Sequence, residues 1–374
     1  MEGSRWAWAE VDLGAVARNV RTMKARIAPG TLFMAVVKAD GYGHGAVRIA
    51  RAALVAGADR LGVATVDEAL ALRDARIDAP VLLLSEPPIA SASTLVERTI
   101  TPSVQSREFA EALGRAAAAH GVVAPFHLKV DTGMNRAGVP HEDASDFLES
   151  LAGLPALALE GVFTHFACAD VPGDWEQAQQ MQRFSDSVGE MRARGIRPGV
   201  VHAANSAATI LRPETHLDMV RCGIVVYGLH PAPSTHGLVE LEPAMSVKAR
   251  VTRVARVPMG AGVSYGMIWH ASSPTMIVTL PLGYADGVRR GLSNRMRVLI
   301  GGRECSQVGR ICMDQLMVEA PRAGTISPGD EAVVVGRQGA LGISMEEQAA
   351  TLDTIDYEVA CGYGARLPRV YVGE

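Results

Sequence analysis

The sequence predicts a TIM-type (β/α)8 barrel followed by a mainly antiparallel β domain, and three observations carry that expectation. Eight apolar runs of strand length alternate with Ala-rich helical stretches in the first part of the chain. Reactive residue types fall at or just past the C-terminal ends of those runs, the end at which barrels build their sites. Beyond Pro231-Ala-Pro-Ser the texture changes to segments rich in Val, Ile, Thr and Met, separated by Gly and Pro turns.

Taken in order, residues 6–11 read as a short strand and 13–27 as an amphipathic helix stopped by Pro29-Gly30. The eight barrel strands are expected at 32–38, 61–64, 81–84, 100–104, 126–131, 159–165, 200–202 and 217–221. Helices are expected between them, for example at 46–56, 108–119 and 175–194. A doubly wound open sheet shows the same alternation and is the alternative that counting leaves open. The prolines place a boundary between a barrel domain, 1–235, and a β domain, 236–374, with the first strand able to pair with the latter. In the β domain, strands are expected at 245–257, 276–280, 297–300, 315–319 and 331–335, with one helix behind the capping box Ser344-Met-Glu-Glu347.

With 48% hydrophobic and 20% charged residues over 374 positions, the chain has material for two ordinary cores and is not a disordered sequence. A net charge of −4 leaves no electrostatic footprint for nucleic acid or an anionic membrane, so a small molecule is the expected partner. Cys168, Cys222, Cys305, Cys312 and Cys361 are scattered without C-x-x-C spacing, which argues against a disulfide framework and against a structural metal. The opening Met1-Glu-Gly-Ser-Arg-Trp has no apolar signal core, and a cytoplasmic location is expected.

The chemistry concentrates at Ala35-Val-Val-Lys38-Ala-Asp-Gly41-Tyr42-Gly43-His-Gly45. Lys38 ends an apolar run, where desolvation disfavours an ammonium and leaves an amine nucleophile; the competing reading is a lysine that snorkels to solvent. The three glycines allow close backbone approach to an anion, and a helix starting near His44 would offer N–H groups to a phosphate. A nucleophilic lysine beside a phosphate site points to pyridoxal 5'-phosphate. The G-x-G-x-G spacing does not match a dinucleotide fingerprint.

Further blocks follow in order: His127-Leu-Lys129-Val-Asp-Thr-Gly-Met-Asn-Arg136, Thr164-His165-Phe166, His202-Ala-Ala-Asn205-Ser206, Arg221-Cys-Gly223-Ile224, Ser264-Tyr265-Gly266, Gly283-Tyr284, Cys312-Met313-Asp314 and Ile355-Asp-Tyr357-Glu358. The ordered set resembles the alanine racemase family over nearly the whole chain. That resemblance implies an isomerase dependent on pyridoxal phosphate that interconverts L- and D-alanine with two bases and supplies D-alanine for peptidoglycan. It implies that Lys38 holds the cofactor and takes the proton from D-alanine, while Tyr265 takes it from L-alanine, supported by His165 and Arg221. Arg221 would face the pyridine nitrogen. Arg136 and the Met313 backbone would receive the substrate carboxylate. Tyr42, Asn205, Ser206, Gly223, Ile224 and Tyr357 would bind the cofactor, chiefly its phosphate. Lys129 would stand near Arg136, either as a carbamate or as a plain lysine at the rim. Cys312 reads as a packing thiol. A head-to-tail homodimer would share its sites, one copy lending Tyr265 and Met313 to the other. Racemisation of serine or another small amino acid, a barrel-type decarboxylase and a non-catalytic single-barrel cofactor binder are the competing readings. The decarboxylases set a carboxylate against the pyridine nitrogen, and the single-barrel binder lacks both Tyr265 and the β domain.

Overall fold

Parallel strands covered by helices are buried on both faces and need no polar alternation, which is why continuous apolar runs mark them. The computed structural model describes residues 5–171, 173–320 and 326–373. Strand β1 (Ala7–Asp12) belongs to a second unit treated below. There follow β2 (Leu32–Val36), β3 (Arg60–Val63), β4 (Val81–Leu83), β5 (Ser103–Val104), β6 (Ala124–Asp131), β7 (Val139–Pro140), β8 (Leu157–Phe163), β9 (Val200–His202) and β10 (Met219–Cys222). Each of the eight expected runs contains or overlaps one of these strands. The two-residue β7, which pairs with β6, had no sequence signal.

Within the unit Val16–Gly41 and Ala46–Glu242, β10, β2, β3 and β4 pair in that order, all parallel. Leu82 then bridges Thr101 in parallel, and β5, β6, β8 and β9 continue the succession. The ring closes where Asp218 N–H donates to Val201 O and Arg221 N–H to Ala204 O, both at 3.0 Å. Closure excludes the open sheet and directs alternate side chains into the barrel. On β6 these are His127, Lys129 and Asp131, two apart on one face.

Two local departures shape the interior. Between β6 and β8 the register passes from Phe126 opposite Leu159 to His127 opposite Gly161, so Glu160 is the extra residue of a bulge. After β2 the chain enters the left-handed region at Ala39 (φ 52°), Asp40 (φ 52°) and Tyr42 (φ 51°). Non-glycine residues there cost about 1–2 kcal/mol each, so the turn must be held from outside. Glu68 accepts from Ala39 N–H at 2.7 Å, Val37 O from Gly41 N–H at 2.9 Å, and Asp40 from Ala46 N–H at 2.9 Å. The helix expected near His44 therefore begins at Ala46 (Ala46–Val55).

The second unit comprises the described parts of residues 1–15, 42–45 and 243–374. Its strands after β1 are β11 (Met245–Arg250), β12 (Arg253–Val257), β13 (Thr275–Leu280), β14 (Arg297–Ile300), β15 (Arg303–Gln307), β16 (Leu316–Glu319), β17 (Glu331–Gln338), β18 (Leu341–Ile343) and β19 (Arg369–Val372). Among the described residues they form one sheet in the order β12-β13-β16-β15-β14-β17-β11-β1-β19, with β18 on β17. Every pairing is antiparallel except β1 with β19. The run expected at 245–257 is two strands, because β11 pairs with β17 while β12 pairs with β13.

Two helices stand where one was expected, Met345–Leu352 and Asp356–Gly362. The expected capping box is half formed. Ser344 accepts from Glu347 N–H at 3.1 Å, but the Glu347 carboxylate pairs with Arg297 at 2.7 Å instead of returning to the cap. Among the described residues no helix is long and apolar enough to cross a membrane.

Candidate active site

At the C-terminal ends of the barrel strands the sequence-predicted residues come together around Arg221. This arginine, on β10, is 4% exposed. Its guanidinium donates to Thr164 O at 2.7 Å and Ala203 O at 2.9 Å, and meets His165 Nδ1 at 3.2 Å and His202 Nδ1 at 3.0 Å. Among the described residues no carboxylate pairs with it. Burial pushes its pKa down to about 9, which still leaves a cation and a donor near neutrality. His165, two residues past β8, is held well below the usual histidine range by burial and then by Arg221, Arg136, Lys129 and Lys38. It is a neutral imidazole.

Lys129 is 5% exposed on β6 and donates to Leu84 O at 3.3 Å. Burial first, then Arg136, Arg221 and Lys38, lower its pKa to about 8, with Asp131 opposing. The half-buried Lys38 opens the left-handed turn after β2 and belongs to the same electrostatic neighbourhood. Arg136 is exposed in the loop that joins β6 to β7. Lys38, Arg136 and Arg221 thus all act on Lys129, opposed by Asp131, and cations prevail around it.

Asn205 caps the helix Ser206–Leu211 by accepting from Ala208 N–H at 3.0 Å. The Ser206 hydroxyl accepts from Gly223 N–H at 2.9 Å, which joins the loops after β9 and β10. Ile224, fully buried, opens the turn that follows.

The remaining predicted residues lie in the second unit. The rings of Tyr42 and Tyr357 approach with centroids 6.1 Å apart. Tyr265 is not a strand residue; it stands in a tight turn and is 72% exposed. The turn is fixed by Ser264, in the left-handed region at φ 67°, whose hydroxyl donates to Arg310 O at 2.6 Å and lies 3.3 Å from Cys312 Sγ. A cleft of about 1120 Å³ is lined by Tyr265, Met267, Cys312, Gln315 and Met317 among others. Met313 is 52% exposed on a loop held by Tyr284 N–H to Cys312 O at 2.9 Å and Ala285 N–H to Met313 O at 3.1 Å. Only glycine permits that approach at 283, since a Cβ would lie 2.3 Å from both carbonyl oxygens. Buried Asp286 secures the same turn, accepting from Gly283 N–H at 3.0 Å and from Arg5 at 2.6 Å.

Sequence reasoning assigned no role to the polar interior beneath Arg221. His202 Nε2 lies 2.8 Å from His127 Nδ1, and His127 Nε2 lies 3.6 Å from Glu160 Oε2. Both histidines are fully buried, and burial is the first cause holding each below its usual pKa, so both are neutral. Glu160 is pushed down to about 2, by His127 first and then by Arg60 against the opposing effect of burial, and is a carboxylate. The two-residue spacing of His127 and Lys129 signalled a shared inward face, whereas nothing in the sequence signals a bulge at Glu160. Among the described residues one group could hold a metal, Cys168 with Asp174 and Glu176, and it stands on no strand of the barrel.

Comparison with known proteins agrees along the entire chain. The alanine racemase N-terminal domain matches residues 11–231 and the C-terminal domain residues 244–371. An alanine racemase of Desulfovibrio desulfuricans is 46% identical over 98% of both chains. The chain belongs to the alanine racemase family. In structure, the alanine racemase of D-cycloserine-producing Streptomyces lavendulae superposes with a TM-score of 0.94 at 40% identity, covering 100% of this chain and 98% of its own. A histidine racemase of Leuconostoc mesenteroides subsp. sake has a TM-score of 0.91 at 30% identity, covering 99% of both chains.

Alanine racemases depend on pyridoxal phosphate, and the barrel residues fit that group. The excess of cations at the barrel mouth suits its phosphate and phenolate. The Ser206 hydroxyl, held by the Gly223 N–H, and the Ile224 backbone N–H are donors of the kind that receive phosphate.

Proposed function

We infer that this protein interconverts L-alanine and D-alanine with pyridoxal 5'-phosphate. The observation that carries the reading is Arg221, a buried guanidinium held by two carbonyls and two neutral histidines, with no carboxylate paired to it among the described residues. A guanidinium donates a hydrogen bond to a pyridine nitrogen without readily yielding its proton. That suits a brief carbanion and disfavours the longer-lived one of a decarboxylase, whose ring meets a carboxylate.

When bound, the cofactor withdraws electrons from the bonds at the substrate's Cα and so acidifies its proton. Lys38 Nζ holds the cofactor and moves the proton on the D-alanine face, and Tyr265 Oη moves it on the L-alanine face. His165, kept neutral by burial first and then by the surrounding cations, relays the influence of Arg221 toward Tyr265 as a hydrogen-bond partner. Arg136 and the Met313 N–H orient the substrate carboxylate. Ser206, Gly223, Ile224, Tyr42 and Tyr357 hold the phosphate, and Asn205 keeps its helix in place beneath it. Lys129, with its lowered pKa, offers a neutral amine whose nitrogen bonds to carbon dioxide while one N–H proton passes to solvent, and the resulting carbamate steadies Arg136.

Two copies form a head-to-tail dimer in which Tyr265 and Met313 of one copy serve Lys38 of the other. The exposed Met259, Tyr265, Met267, Ile268 and Met313 support this reading, because methionine and aromatic residues are enriched where proteins dock. The setting is the cytoplasm, with D-alanine destined for peptidoglycan. Among substrates, alanine is favoured over histidine by 46% identity to an alanine racemase against 30% to the histidine racemase.

The test is incubation of L-alanine with the cofactor-loaded protein in D₂O. Loss of optical rotation with deuterium at Cα is the expected result; release of carbon dioxide overturns it in favour of the decarboxylase.

A further inference from the structure

Five polar side chains run in line through the barrel interior. Arg221 Nη1 is 3.0 Å from His202 Nδ1, His202 Nε2 is 2.8 Å from His127 Nδ1, His127 Nε2 is 3.6 Å from Glu160 Oε2, and Glu160 Oε1 is 2.6 Å from Arg60 Nη1. Thr101 adds its hydroxyl to Glu160 Oε2 at 3.3 Å. The rings have little freedom. His202 stacks on Phe163 with an interplanar angle of 8°, and the His127 ring lies so close to the strand that a Cβ on Gly161 would come within 2.5 Å of its Cε1.

A guanidinium has only donors, and an ionised carboxylate only acceptors. A neutral imidazole has one of each, so the two ends dictate where both ring protons sit. Arg221 donates to His202 Nδ1, which must be a lone pair, and the His202 proton is therefore on Nε2. That proton is given to His127 Nδ1, which leaves the His127 proton on Nε2, aimed at Glu160. In the opposite arrangement His202 N–H would face Arg221 N–H, and a His127 lone pair would face a carboxylate. Both contacts are repulsive.

We propose that Glu160 is a positioning residue that sets the direction of this chain, fixing His127 and His202 with their protons on Nε2 so that His202 receives and orients Arg221. Its place as the extra residue of the β8 bulge supports the assignment. A bulge re-aims one side chain, and this one brings a carboxylate beside His127, a nitrogen with no nearer partner among the described residues. Arg60 anchors the other oxygen, and the carboxylate faces the histidine as an acceptor.

Glu160→Gln inverts that end with almost no change of shape. Its one carbonyl oxygen is claimed by Arg60, so its NH₂ group faces His127 Nε2 and demands a lone pair there. The test labels the histidines with ¹⁵N in the full-length protein and reads their tautomers by NMR. The unaltered protein is expected to carry Nε2–H on both rings. Glu160→Gln is expected to move the protons of both rings to Nδ1, because Nδ1–H on His127 alone would face the His202 Nε2–H at 2.8 Å. That takes from Arg221 its His202 acceptor and is expected to lower kcat about tenfold, with KM for alanine little changed. Glu160→Met, which leaves Arg221 alone to select the tautomers, is expected to keep Nε2–H dominant on both rings while a minor Nδ1–H form appears on His127. A proton on His202 Nδ1 in the unaltered protein, or Nε2–H retained alone on His127 in whichever of the two variants folds, overturns the proposal. The effect on kcat rests on the racemase reading, but the tautomers do not, so the two fail separately.

Discussion

At the scale of single residues, the site is a problem of placing cations near one another, and each placement has a measurable outcome. Lys38 holds the cofactor covalently in the proposed function. In Lys38→Ala, borohydride should no longer fix a cofactor to the chain, as read by intact mass; reduction onto another lysine would mean that the nucleophile is misassigned. Arg221 engages two carbonyls and two imidazoles through a planar fork that an ammonium cannot reproduce. Arg221→Lys should therefore still form the borohydride-fixed adduct while losing about a hundredfold in kcat, since two or more charge-assisted hydrogen bonds are lost. An unchanged kcat would remove Arg221 from the chemistry. Lys129, in protein prepared without bicarbonate so that it carries no carbamate, gives a pH-dependent prediction. Its folded pKa of about 8 lies below the ordinary lysine value, so between the two the unfolded chain binds more protons than the folded one, and stability rises with pH across that window. Below about 8 the penalty is present in full. Lys129→Met should thus stabilise the fold more at pH 7 than at pH 10 in paired urea titrations. Equal gains at both pH values would show that the ammonium is not strained.

At the scale of elements, what could be read in advance was whatever a local pattern encodes. The eight barrel strands are apolar runs bounded by turn residues, and burial on both faces imposes that pattern on each run separately. β15 (Arg303–Gln307) and β19 (Arg369–Val372) escaped because half or more of their residues are exposed or charged, so their hydrophobicity resembles that of loops. The capping signature at Ser344 marked a true helix start, yet could not show that Arg297 would take the Glu347 carboxylate. The left-handed turn after β2 was hidden for a different reason. Ala39 and Asp40 are ordinary residues held at positive φ, Ala39 by Glu68, 29 residues away, and Asp40 by the Ala46 N–H, so the sequence of the turn itself does not show its main support. The turn stores strain next to Lys38, which gives a prediction. Ala39→Gly should raise the melting temperature or leave it unchanged, because glycine avoids roughly 1–2 kcal/mol of left-handed cost, partly offset by entropy. The same change should speed cofactor loss by loosening the residue beside the nucleophile. A lower melting temperature with unaltered cofactor release would show that the turn is neither strained nor coupled to Lys38.

At the scale of the whole molecule, the groups proposed for catalysis divide between two units: Lys38, Arg136, His165 and Arg221 in the barrel, and Tyr265 and Met313 in the β unit. The ordered blocks made each group legible, since a block is a local string. Which copy supplies Tyr265 is not a local property, and no block contains it. The proposed dimer makes a sharp prediction, because a two-fold assembly with shared sites has two equivalent composite centres. Lys38→Ala and Tyr265→Phe should each be inactive as separate preparations. When they are mixed in equal amounts and subunits exchange, half of the dimers are hybrids. In each hybrid, one site combines both lesions and the other combines an intact Lys38 with an intact Tyr265. About a quarter of all sites should then recover, and racemisation should rise to about a quarter of the unaltered rate. If native mass spectrometry shows hybrids and the mixture stays as inactive as its parents, Tyr265 serves the Lys38 of its own chain. Recovery without detectable hybrids would instead point to a contaminant racemase, so exchange and rate must be followed in the same sample.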